Sequence, residues 1–215
     1  MNALIVVGAG GHARSLLDIL LGNGNFSHIA CVDAAYPEID HVQGYPSVKV
    51  IGRDENLPTI YAAGFGHALI ALGNNRLRRS LFLQAFEIGF QFVNAISRYA
   101  IVSERAEIGK GSCVMPGAVV NAGAVIGENC IINTRCSIDH DCQIGAHCHI
   151  APGVTLSGGV TIGEGTQVGT GASVTDRVRI GDWSLIGAGS TVVRDIDSRI
   201  VAYGIPAKYV RAVKE

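Results

Sequence analysis

The stretch CIINTRCSIDHDCQIGAHCHI, residues 130–150, decides the fold of this chain because it reads in steps of six. Ile132, Ile138, Ile144 and Ile150 recur at every sixth position, and Cys130, Cys136, Cys142 and Cys148 stand two places before them. Taken alone, so many cysteines and histidines suggest a metal or redox centre. Extended in both directions, the same step places an aliphatic residue at sixteen positions from Val102 to Val192. The residue two places earlier is small in thirteen of these units, with Val154, Val160 and Val178 the larger exceptions. The residue just after is Gly in seven, at 109, 127, 145, 163, 169, 181 and 187, and is Asn121, Asn133 or Asp139 in three more. Those types tolerate positive φ, so this position is expected to turn the corner.

A period of six containing a period-two pair describes short strands that each end in a bend. Three strands close a triangular coil of eighteen residues, and stacked coils pair at the spacing of neighbouring strands, about 4.8 Å. This resembles the left-handed parallel β-helix of hexapeptide-repeat acyltransferases, and the handedness is implied by that resemblance. The cysteines then fill the small inward slot that Ala and Ser fill elsewhere. No C-x-x-C pair exists, so zinc spacing is absent and no metal is expected. Cys113 falls on an outward position, and Cys31 lies in an expected strand. His140 and Asp141 follow the corner at Asp139 and are expected at a prism edge, where an imidazole beside a carboxylate suits general-base work. His149 is expected outward on a flat face, and His147, His28, His41 and His67 are read as solvated or structural.

The formal charge of -1 gives no basic surface, so nucleic-acid and anionic-membrane binding lack support. The opening MNALIVVGAGGHARS has no basic region before its apolar run, which meets Gly8 too soon for a signal peptide or a membrane span. A cytoplasmic protein is expected.

The first hundred residues read differently. A buried strand over 3–7, a Gly-rich turn, a helix and a strand over 29–34 make a βαβ opening. Further elements are expected at 68–74 (strand), 76–89 (helix) and 90–96 (strand). Gly8, Gly10 and Ala13 fit G-x-G-x-x-A, and Asp33 lies twenty residues beyond Ala13, as in the dinucleotide fingerprint. Three or four strands are only half of a two-lobed dinucleotide fold, and no hydride-transfer domain follows. A unit this small can still hold a nucleoside diphosphate on its helix N-terminus.

GAGGHA near the start, the strand ending in Asp33, LGNN at 72–75, the unbroken hexads, IDHD at 138–141 and GIPAK at 204–208 together resemble the NeuD/PglD family of bacterial sugar acetyltransferases. The resemblance implies an α/β, Rossmann-like half domain over 1–97, a left-handed β-helix over 98–195 and a tail over 196–215 packing on it. It implies a homotrimer that moves acetyl from acetyl-CoA to the 4-amino group of a nucleotide-linked sugar, UDP-linked, in glycan biosynthesis. Gly10, Gly11, His12, Asp33 and Gly73 would bind the nucleotide sugar. His140 would be the base and Asp141 its orienting carboxylate, where close relatives often carry the longer Glu. His149, Gly158, Thr170 and Ala188 would contact acetyl-CoA. O-acetylation of sialic acid or another sugar hydroxyl is the second reading, and a scaffold using the prism only for trimerisation is the third.

Overall fold

In the computed structural model, which describes residues 2–214, the chain divides into two compact units, Met1–Ala95 and Ile96–Glu215. The first unit contains β1 (Ala3–Val7), α1 (Gly11–Asn23), β2 (His28–Val32), β3 (His41–Val42), β4 (Tyr45–Lys49), α2 (Leu57–Ala62), β5 (His67–Ile70), α3 (Asn75–Ile88) and β6 (Gln91–Phe92). Its parallel sheet has the order β2-β1-β5-β6. All five residues of β1 are buried, as a strand covered on both faces of a parallel sheet must be. Ala13, Leu16, Leu17 and Leu20 give α1 a single apolar stripe, and the helix stops at Gly24 in the left-handed conformation (φ 67°). Val7 pairs with both Val32 and Ile70, so the carboxyl ends of three neighbouring strands are level. The expected strand over 90–96 is two short ones, β6 and Ala95–Ile96, and β3, β4 and α2 are too short to carry a periodic signal.

The second unit is the expected triangular coil. Its two-residue strands stack into three parallel sheets, with partners eighteen residues apart throughout: Val119 on Ser137, Ser137 on Thr155, Thr155 on Ser173. Ile126, Ile132, Ile138, Ile144 and Ile150 form the core with Cys130, Cys136, Cys142 and Cys148. The tail continues one sheet as a hairpin: Ile200–Gly204 pairs parallel with Leu185–Ile186 and antiparallel with Ala207–Ala212. Among the described residues no helix is long and apolar enough to cross a membrane.

The corner chemistry differs from expectation. Positive φ falls three residues after fourteen of the sixteen aliphatic positions, as at Gly117, Gly123, Asn129, Arg135, Asp141, His147, Gly153 and Gly159, and not one residue after them. The glycines at 109, 127 and 145 serve a different need: a Cβ on Gly127 would stand 2.6 Å from the Ala146 nitrogen of the next coil. They are places where backbone meets backbone.

The inward small residues have hydrogen bonds of their own. Along one column Ser112, Cys130, Cys148 and Thr166 donate to the carbonyls of Gly127, Gly145, Gly163 and Gly181, at 3.0, 3.1, 3.0 and 2.7 Å. The cysteines are therefore donors as well as fillers. Burial pushes the Cys136 thiol up to about 12, which leaves it an inert neutral thiol at physiological pH. Cys113, read as outward, is nonetheless buried. Among the described residues no group of three His, Cys, Asp or Glu side chains could hold a metal ion. Cys148→Ser should cost no more than about 1 kcal/mol, since Ser112 makes the same bond in the same column. Cys148→Val should cost about 1 kcal/mol more than Cys148→Ser, because the Gly163 carbonyl keeps only its 3.4 Å bond from Thr166 N. Equal denaturation midpoints for the two variants would refute the donor role.

Candidate active site

His140 and Asp141 stand on the prism edge that follows the strand Ser137–Ile138, with side chains 64% and 73% exposed. The edge is built by local bonds. Asp139 Oδ1 accepts from the His140 backbone N–H at 2.7 Å and from Asn121 Nδ2 at 3.1 Å, which pins the corner and lowers the Asp139 pKa. Asp141, at φ 59°, turns its carboxylate back so that Oδ2 lies 2.9 Å from His140 Nδ1. That bond, with the charges of Asp139, Asp141 and Asp176, raises the His140 pKa. With Nδ1 held by a carboxylate, Nε2 is the nitrogen that can accept a proton. It lies over the next coil, where a Cβ on Gly158 would stand 2.6 Å from it. Gly158 thus underlies the imidazole, and the surrounding cavity is lined by Asp139, Asp141, Gly159, Asp176 and Arg177.

The other residues expected around acetyl-CoA lie elsewhere on the prism. Thr170 and Ala188 are exposed in one column, with the Thr170 carbonyl accepting from Gly189 N at 2.8 Å, on the edge that follows the sheet of Gln167–Val168 and Leu185–Ile186. His149 is half-buried in that same sheet, its Nε2 accepting from Asn133 Nδ2 at 3.0 Å. Within one chain, a whole face, that of Ser137–Ile138 and Thr155–Leu156, separates the edge of Thr170 from the edge of His140. His147 is buried and bonded to Asn129 at 2.9 Å, a structural histidine as expected.

In the first unit, Gly8–Gly11, Asp33 and Gly73 lie at the carboxyl ends of β1, β2 and β5, the side of an open parallel sheet where ligands bind. Gly8 has φ 108°, and its N–H donates to the Val32 carbonyl at 2.8 Å. Asp33 is already engaged: one oxygen accepts from Ala9 N at 2.7 Å and the other from Ala35 N at 2.9 Å, so its carboxylate clamps the Gly-rich turn. The Leu72 and Gly73 carbonyls accept from Arg78 Nη1 at 3.1 and 3.4 Å. Arg78 is fully buried. Burial, with the Arg78 charge adding to it, lowers the His12 pKa to about 4, so His12 is a neutral hydrogen-bonding ring at pH 7 and not a cation. Sequence reasoning missed Arg78, which sits in an ordinary amphipathic helix pattern. It also missed Asp176, although 36 residues is two coils from His140 and that arithmetic could have found it.

Two family models match the chain: the PglD N-terminal domain over residues 3–85, and the bacterial transferase hexapeptide (six repeats) over 123–158 and 159–194. Among solved structures, the chain is similar to perosamine N-acetyltransferase from Caulobacter crescentus in complex with CoA and GDP-perosamine. The two share 39% identity over 98% of both chains, with a TM-score of 0.92. It is also similar to the acetyltransferase domain of PglB from Neisseria gonorrhoeae FA1090 in complex with acetyl coenzyme A, with 36% identity over 98% of this chain and 100% of that one, TM-score 0.90. WeeI from Acinetobacter baumannii AYE, 22% identical with a TM-score of 0.86, shares the fold. No curated protein sequence matches.

Proposed function

Because the chain belongs to the NeuD/PglD family of sugar acetyltransferases, we propose that it transfers acetyl from acetyl-CoA directly to the 4-amino group of a nucleotide-linked amino-deoxy sugar, with His140 as general base. The observation that carries this reading is the His140 imidazole, bonded through Nδ1 to Asp141 and open at Nε2 above Gly158.

The chemistry asks little more of the protein. The amine nitrogen attacks the thioester carbonyl, and its proton passes to Nε2 as the new C–N bond forms. The imidazolium, steadied by Asp141, returns that proton to the departing thiolate, so no covalent enzyme intermediate is needed. Gly10, Gly11 and neutral His12 at the start of α1 take the diphosphate and sugar, with Gly73 beside them. Asp33 acts chiefly by holding the turn in place. His149, Thr170 and Ala188 take acetyl-CoA along the prism, and Gly158 keeps the floor beneath His140 clear.

UDP is the nucleotide implied by the sequence resemblance, whereas the relative from Caulobacter crescentus carries a GDP-linked sugar. Both belong in the test. Thiol release from acetyl-CoA should be seen with a UDP- or GDP-linked 4-amino sugar and not with sialic acid. Faster turnover of sialic acid would replace this reading with O-acetylation.

Transfer also requires a closed cleft, and one chain leaves its His140 edge and its Thr170 edge a full face apart. A homotrimer in which one copy's His140 edge meets another copy's acetyl-CoA surface resolves this. Sedimentation equilibrium should give a trimer at working concentrations. A monomer active at full specific rate would overturn the assembly.

A further inference from the structure

The prism edge that carries the proposed base holds a second feature. Ala122, His140, Gly158 and Asp176 succeed one another at intervals of eighteen, one per coil. Backbone bonds lock that stack: Asp141 N to the Ala122 carbonyl at 3.1 Å, Gly159 N to the His140 carbonyl at 2.9 Å, and Arg177 N to the Gly158 carbonyl at 3.0 Å. Asp176 therefore stands two coil spacings from His140, about 10 Å between α-carbons. Gly158, between them, contributes no side chain. The result is a notch in which the imidazole lies over Gly158 and the exposed Asp176 carboxylate stands one coil beyond it.

The charged groups facing this notch are Asp139, Asp141, Asp176 and Arg177, so carboxylates outnumber guanidinium and a cation is favoured there. An aliphatic sugar amine in water at pH 7 is largely ammonium. Acetylation takes two protons from it overall: R–NH₃⁺ plus thioester gives amide, thiol and one H⁺. The proton that His140 relays ends on sulfur. The other must leave beforehand to free the lone pair, and a base already holding Asp141 handles one at a time.

Resting on the function proposed above, we propose that Asp176 binds the ammonium form of the acceptor amine. It holds the nitrogen beside the imidazole while the first proton departs to solvent, and it thereby selects an amine over a hydroxyl at the same sugar carbon. Asp176 is a specificity-determining residue in this scheme, distinct from the Asp141 that orients the base. A charge-assisted hydrogen bond from the ammonium is the interaction that a neutral hydroxyl cannot match.

The test compares the parent enzyme with Asp176→Asn, Asp176→Ala and Asp176→Glu on the nucleotide 4-amino sugar, with the 4-hydroxy counterpart as competitive inhibitor. Asn and Ala should raise KM for the amine about 10- to 100-fold. They should leave the inhibition constant of the hydroxy sugar and KM for acetyl-CoA within a few fold, and Glu should restore most of the amine affinity. The unchanged acetyl-CoA constant reports that the prism is intact. An unchanged KM for the amine overturns the inference, as does an equal loss for amine and hydroxyl. If the parent turns over no amino sugar at all, the function itself fails and this inference with it, an outcome read from the parent alone.

Discussion

His140→Ala should lower kcat by roughly 100- to 10,000-fold, the range for loss of a positioned general base, and leave KM for both substrates within a few fold. The division follows from the geometry: His140 is an exposed edge residue with its ring over Gly158, so removing it takes away a proton acceptor and no part of the core. The pH profile of the parent supplies the second measurement. The Asp141 hydrogen bond raises the His140 pKa, so the ascending limb of kcat/KM lies above 6.5, the ordinary value for His. The base form is the unprotonated ring, so activity rises with pH through that limb. Asp141→Asn removes the carboxylate that favours the imidazolium, and the limb should move down toward 6.5 with a smaller loss of kcat. Asn tolerates the left-handed backbone at that position, so the corner survives the change. A parental kcat in His140→Ala would send the search for the base to His149.

Gly127→Ala should destabilise the prism by about 3 kcal/mol, although it adds one methyl at a corner. The added carbon would meet the Ala146 nitrogen at 2.6 Å and the Ala146 α-carbon at 2.8 Å, backbone atoms with no side chain to swing away. Gly153→Ala is the control. Gly153 has φ 69°, but its nearest neighbour would be the Gly171 α-carbon at 4.0 Å, so only the left-handed conformation costs, about 1–2 kcal/mol. Denaturant titration of the two variants separates close approach from backbone conformation. If Gly153→Ala proved the more damaging, conformation would dominate and the coils would have more room than their spacing provides.

The prism was legible because its code is redundant: an aliphatic residue every six positions survives any single irregularity, and Ile132 through Ile150 alone set the register. The purpose of each glycine was not legible. The same residue type serves left-handed φ at Gly123 and backbone contact at Gly127, and spacing alone cannot tell a conformational need from a steric one. His140 and Asp141 were legible as an adjacent pair, since adjacency in the chain makes their bond local. Arg78 was not, because its burial depends on the Leu72 and Gly73 carbonyls, which the fold brings to it. Asp33 is legible in part: its place at the end of β2 and its bond to Ala35 N, two residues on, are local, whereas its bond to Ala9 N arises from how β1 and β2 align.

The eighteen-residue stacking gives every outward side chain an address on a cylinder, where the remainder after division by eighteen names the face and the quotient names the height. Deleting six residues between His140 and Thr170 would keep the core pattern intact, since every aliphatic step still follows the last. It would nonetheless rotate everything downstream by one face, carrying Thr170 and Ala188 to another edge. Deleting eighteen would preserve each edge and shorten the distance along it by one coil. A change of six therefore keeps the aliphatic repeat but alters which outward residues share an edge, whereas a change of eighteen keeps both.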